Sequence, residues 1–164
     1  MKAKEITLSA ALIALTIIIL YLNLLLPIST LSILTLASLL VPIALMRGSM
    51  KSAILVYVAS SIIGFFILPI NIIILYILFF GIYGIVKYYI EKINKLPLEI
   101  LLKLIFFNII FFISFFIFKS FIAIEITKLP IWLFWIIAQI VFLVFDYALT
   151  LLISFYLEKI HTKI

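Results

Sequence analysis

Between residues 6 and 26 the chain carries no charge at any of 21 consecutive positions. About 20 apolar residues in helical geometry cross the hydrocarbon layer of a bilayer. Segments of this kind recur to the C-terminus. They are interrupted by Pro27, Arg47-Gly48-Ser49-Met50-Lys51, Pro69, the polar stretch 91–99 and Thr127-Lys128-Leu129-Pro130. Lipid satisfies no backbone polar group, so each run must be a helix that closes its own hydrogen bonds. The spacing predicts six spans, at about 6–26, 30–46, 52–68, 70–90, 98–124 and 131–158. The expected fold class is an all-α polytopic membrane bundle, a single transmembrane domain over residues 1–164. Pro42 falls inside the second span, where neighbouring helices must re-satisfy the carbonyl it frees.

Composition agrees. Charged residues make up 11% of the chain and hydrophobic ones 69%, whereas a soluble domain keeps charges at about a quarter. The basic start followed by an apolar run has the outline of a signal peptide. It lacks a small-residue cleavage site before Pro27, so it reads as a retained first span.

Twelve basic residues set the expected orientation. Lys2 and Lys4 precede the first span. Arg47 and Lys51 lie between the second and third, and Lys87, Lys92, Lys95 and Lys103 around the fourth-to-fifth connection. Lys159 and Lys163 follow the sixth span. Only Lys119 and Lys128 fall on the other side. Positive charge concentrates in cytoplasmic loops, so both termini are expected in the cytoplasm. The abundance of Ile, Phe, Lys and Asn suggests an AT-rich, bacterial genome, hence a bacterial cytoplasmic membrane.

The net charge of +6 does not imply nucleic acid, because the basic residues alternate with apolar runs. With no cysteine and the single histidine His161, disulfides, thiolate sites and multi-His metal sites are excluded. No cofactor is expected. There is no phosphate-binding glycine loop, no paired catalytic carboxylates and no nucleophile with its base, so an enzyme is not expected.

Polar residues within the spans are the candidate functional groups. Asp146, flanked by Val144, Phe145, Tyr147 and Ala148, is the sharpest, since an ionisable side chain in lipid is costly and marks a site by default. Gln139, Trp135 and Thr150 share its helix face. Asn108 in the fifth span can bond to Gln139 or Asp146, a contact that equally serves to hold helices together. Trp132 and Trp135 begin the sixth span, as interfacial anchors or as an aromatic wall for a ligand. Asn71 begins the fourth, with Tyr76, Phe80, Tyr83 and Lys87 after it on one face. Ala53, Tyr57, Ser60 and Gly64 form a packing seam on the third. Lys119 and Glu125 read as interfacial. Ala10 and Ala14, with Ala3 and Thr7, form a small-residue face on the first span that allows close helix approach.

Lys4 to Leu15, containing Ala10-Ala11-Leu12-Ile13-Ala14, together with Val41 to Gly48 and Lys51-Ser52-Ala53, resembles the S component of energy-coupling factor (ECF) transporters. The likeness covers the six-span plan of the whole chain, and in sequence mainly its first 70 residues. It implies that Ala10 and Ala14 contact a transmembrane coupling subunit that works with two ATPase subunits. It also implies that a small-molecule substrate, usually a vitamin or a metal, binds near the outer face. The matching region holds Asn71, Tyr76, Trp132, Trp135 and Gln139, and Asn108 and Asp146 complete the candidate substrate-binding residues. This outer half is unusually apolar, which points to a rather apolar micronutrient. Two other readings stand beside this one. One is a membrane scaffold with the same fold and no ligand, similar to the cell-shape protein of the MreD type but without its Gly-rich segments. The other is a solitary proton-coupled carrier with Asp146 as relay.

Overall fold

The computed structural model describes residues 2–25, 29–121 and 131–159, with side chains omitted at 118–121, 131 and 159. Expectations that rest on Pro27, on the side chain of Lys119, on Glu125, on 127–130 or on His161 fall outside the described residues. The described residues form helices α1 Ala3–Leu25, α2 Thr30–Ser38, α3 Leu40–Arg47, α4 Met50–Ile67, α5 Ile70–Leu75, α6 Gly81–Glu91, α7 Leu96–Phe121 and α8 Ile131–Lys159. A wider turn, Tyr76–Phe80, joins α5 to α6. There is no strand among the described residues. Taken together, α2 with α3 and α5 with α6 make single membrane passes. Six helices of 18 to 27 residues are then long and apolar enough to cross a membrane, and the protein is a multi-pass membrane protein.

The chain forms two compact units, Met1–Lys92 and Ile93–Ile164. In the first, α1 packs on α4, α2 and α3, and α3 packs on α4 and α6. Its core is Leu20, Leu34, Val41, Val56, Ile73, Tyr76 and Tyr83, all essentially inaccessible. Hydroxyls within the helices turn back on their own backbones. Thr16 Oγ1 donates to the Leu12 carbonyl at 2.7 Å, and Ser61 Oγ to the Tyr57 carbonyl at 2.7 Å. This removes a donor that lipid and apolar side chains cannot satisfy.

The second span is broken where Pro42 requires it. Proline has no N–H, and its ring collides with the carbonyl four residues earlier. That residue is Ser38, the last of α2. The Leu39 amide tightens onto the Leu36 carbonyl at 3.3 Å, and the helix resumes with the Ile43 amide on the Leu39 carbonyl at 3.2 Å. Gly84 receives the proline ring. A Cβ there would lie 2.6 Å from Pro42 Cγ and Cδ, so glycine is what lets α6 come this close to α3. Beyond α6, Asn94 has a φ of 55°, a left-handed conformation that asparagine tolerates better than most residues. The chain turns there before α7.

The predicted start of the first span at residue 6 falls one turn inside α1, which begins at Ala3. Glu5 closes that first turn with a hydrogen bond from the Lys2 amide at 3.3 Å. A carboxylate near a helix N-terminus offsets the exposed amide dipoles.

Candidate functional site

The polar side chains of the second unit converge on one seam between α7 and α8. As the position on α7 advances through Lys103, Asn108 and Phe111, its partner on α8 retreats through Asp146, Gln139 and Phe134. This is an antiparallel hairpin with a fixed register. Phe107 and Phe142 stack between the two polar contacts, ring centroids 4.5 Å apart and planes 13° from parallel.

At the end of the seam far from the α7–α8 connection, Lys103 Nζ donates to Asp146 Oδ2 at 2.9 Å. Both are withdrawn from the surface, with side-chain exposures of 9% and 17%. Each charge alone would be costly in an apolar setting, and the pair cancels to neutral while its charge-assisted bond recovers part of the desolvation cost. About seven residues separate Lys103 from the start of α7, roughly 10 Å along the axis at 1.5 Å per residue.

Further along the seam, Asn108 organises a neutral cluster. Its Nδ2 donates to the Leu104 carbonyl at 2.8 Å. Its Oδ1 accepts from Trp135 Nε1 at 2.9 Å and from Gln139 Nε2 at 2.8 Å. A carboxamide oxygen has two lone pairs, and both are used here. The arrangement fixes the Asn108 amide and holds the Trp135 indole against α7.

Next to this cluster, toward the α7–α8 connection, lies an open cleft of about 320 Å³ lined by Phe111, Phe112, Phe115, Trp132, Phe134 and Trp135. All six are aromatic and none is charged. The indole N–H of Trp135 is already committed to Asn108, so the cleft offers flat apolar surface. A buried polar group on a ligand would go without a partner there, at a cost of a few kcal/mol.

Of the residues singled out in the sequence, Asn108, Trp135, Gln139 and Asp146 belong to this seam, and Trp132 to the cleft. Thr150 turns its hydroxyl back to the Asp146 carbonyl at 2.8 Å. Asn71 and Tyr76 are in the first unit. Asn71 is exposed in the first turn of α5. Tyr76 is fully buried and its hydroxyl meets Ser60 Oγ at 2.9 Å. Ala10 and Ala14 are exposed on α1, whereas Ser9, Leu12 and Thr16 on its other face are buried.

Sequence reasoning missed Lys103 as the partner of Asp146, because it counted that lysine among loop charges. The signal was available: Lys103 is flanked by Leu101, Leu102, Leu104 and Ile105, inside an apolar run where a lone cation calls for a counter-charge. The four phenylalanines of the cleft carried no signal, being indistinguishable from the other apolar residues of their spans. Comparison with family models, with curated proteins and with solved structures returned no match.

Proposed function

We propose that this protein is a substrate-capturing membrane subunit of an ECF-type importer. It takes a small, uncharged, apolar micronutrient into the aromatic cleft of the α7–α8 hairpin from the extracellular side. Energy comes from a transmembrane coupling subunit with two ATPase subunits, and both termini are cytoplasmic in a bacterial plasma membrane. The observation that carries this reading is the cleft: six aromatic side chains with no charge, one of them oriented by Asn108. Ligand sites are concave and largely apolar with few polar groups, and this cleft has the lower range of their usual volumes. The exposed face of Ala10 and Ala14 supports the role of α1 as the coupling-subunit contact.

Native mass spectrometry of the protein extracted gently from its host membrane tests the proposal. The expected result is a co-purifying small molecule, or a complex with a membrane subunit and two ATPases. Trp135→Ala should lose the small molecule and keep the complex. Ala10→Trp with Ala14→Trp should lose the complex and keep the small molecule. A solitary, empty chain overturns the reading.

One observation favours a scaffold instead. Asp146 and Gln139, the groups most suggestive of a ligand or proton site, are bonded to Lys103 and Asn108 within the hairpin. In that reading the seam is a helix fastener, and a Trp135→Ala chain retains its cellular role.

A further inference from the structure

The fourth span contains one turn that is not α-helical. In an α-helix the Gly81 amide would bond to the Ile77 carbonyl, four residues back. Here it reaches the Tyr76 carbonyl, five residues back. Single turns of this wider π geometry are uncommon and are frequent at functional sites. The Ile77 carbonyl, having lost its α-helical donor, accepts the hydroxyl of Tyr57 from α4 at 2.9 Å. One turn further along α4, Ser60 Oγ meets the Tyr76 hydroxyl at 2.9 Å. Gly81 completes the fit, since a Cβ there would lie 2.8 Å from Tyr57 Cδ2 and 3.0 Å from Tyr76 Cε1. The wide turn is therefore matched by a donor, a second hydroxyl contact and a space, all directed at α4.

We infer that Tyr57 sets the register of the fourth span, making the Tyr76–Phe80 turn a rotary joint between α5 and α6. The Tyr57 hydroxyl stabilises the wide turn by satisfying the carbonyl that this turn strips of its α-helical donor. Without that hydroxyl the turn closes to α geometry. The two sides of the joint then rotate against each other by about 100° and shift by about 1.5 Å, the increments of one helical residue. Both sides of the joint are packed within the first unit. On α6, Gly84 is locked against the Pro42 ring. On α5, a helix of six residues, Ile70 and Asn71 are exposed while Ile72 and Ile73 are buried. The rotation therefore reorients exposed Asn71 and turns Ile73 relative to the core it now occupies. The inference concerns the first unit alone and holds whether or not the aromatic cleft binds a ligand.

The chain has no cysteine, so engineered pairs can be spin-labelled in an otherwise unmodified background. Nitroxides at Asn71→Cys and Tyr89→Cys, both exposed positions, flank the joint about 27 Å apart along the axis. They report its rotation in lipid nanodiscs through their separation and the oxygen accessibility of each label. Adding Tyr57→Phe should shift the distance distribution and change the accessibility at position 71. Unchanged distance and accessibility in a folded Tyr57→Phe chain would overturn the inference. Deleting Leu78 gives a second test that leaves Tyr57 in place. If the turn holds one residue in excess, the deletion closes it to α geometry while both labels stay on their original faces. A rotation of about 100° after that deletion would show that no excess residue was present, and the inference fails.

Discussion

Asp146 and Lys103 meet at 2.9 Å with little access to the surroundings. Taking away one of them costs more than the contact is worth, because the remaining charge keeps its desolvation penalty without its bond. Removing one member of a buried pair typically costs about 3–5 kcal/mol, whereas replacing both by apolar residues is often near neutral. Asp146→Ala is therefore expected to lower stability by about 3 kcal/mol, and Lys103→Met with Asp146→Leu to recover most of it. Reversible unfolding in mixed micelles measures both. Asn108 is a different case, since it is neutral and serves two donors. Asn108→Leu should cost about 1–2 kcal/mol. In a Trp132→Phe background, where Trp135 is the sole tryptophan, the same change should move indole emission to shorter wavelength. Asn108→Asp retains an acceptor and should restore the parent spectrum. Asp146, Gln139, Asn108 and Trp135 were legible in the sequence because a polar group stands out in an apolar run. Lys103 offered the same signal, a cation inside an apolar run, but its nearness to the polar stretch 91–99 led it to be counted among the loop charges.

The glycines of the first unit differ in what surrounds them, and their substitutions should differ accordingly. At Gly84 an added methyl meets the Pro42 ring at 2.6 Å. The ring cannot rotate away, so Gly84→Ala should destabilise by about 1–3 kcal/mol, the usual cost of overpacking. At Gly64 it meets Ile73 Cδ1 at 2.6 Å, the far end of a flexible side chain. Gly64→Ala should be markedly milder, helped by the better helix propensity of alanine. Thermal unfolding of the two variants side by side checks the order. The break between α2 and α3 follows from Pro42, and the turn before α5 follows from Pro69, so both could be anticipated. The wide turn at Tyr76–Phe80 could not. Its sequence, Tyr-Ile-Leu-Phe-Phe, is hydrophobic throughout apart from the Tyr76 hydroxyl, and such a segment shows no period from which an extra residue can be read. The bond that reveals it comes from Tyr57, 20 residues earlier.

Six membrane passes were legible from the whole chain because the length of each run answers to bilayer thickness, a constraint that needs no knowledge of packing. The division into two units was not legible, since apolar surfaces facing lipid and facing protein have the same composition. The distribution of Lys and Arg predicts the sidedness. Single cysteines at Ser49 and Asn94 should resist a membrane-impermeant maleimide in intact cells, while one at Pro69 should be labelled. The reverse pattern would invert the orientation. The order of synthesis adds a consequence of the charged seam. Lys103 is made 43 residues before Asp146. At a synthesis rate of about 5–20 residues per second, it waits roughly 2–9 s for its counter-charge. During that interval α7 is a nascent span without this carboxylate, and Lys103, about two turns from the start of the helix, lies within reach of the interface. The contact thus links the two spans in time as well as in space, because it can form only once synthesis has reached Asp146.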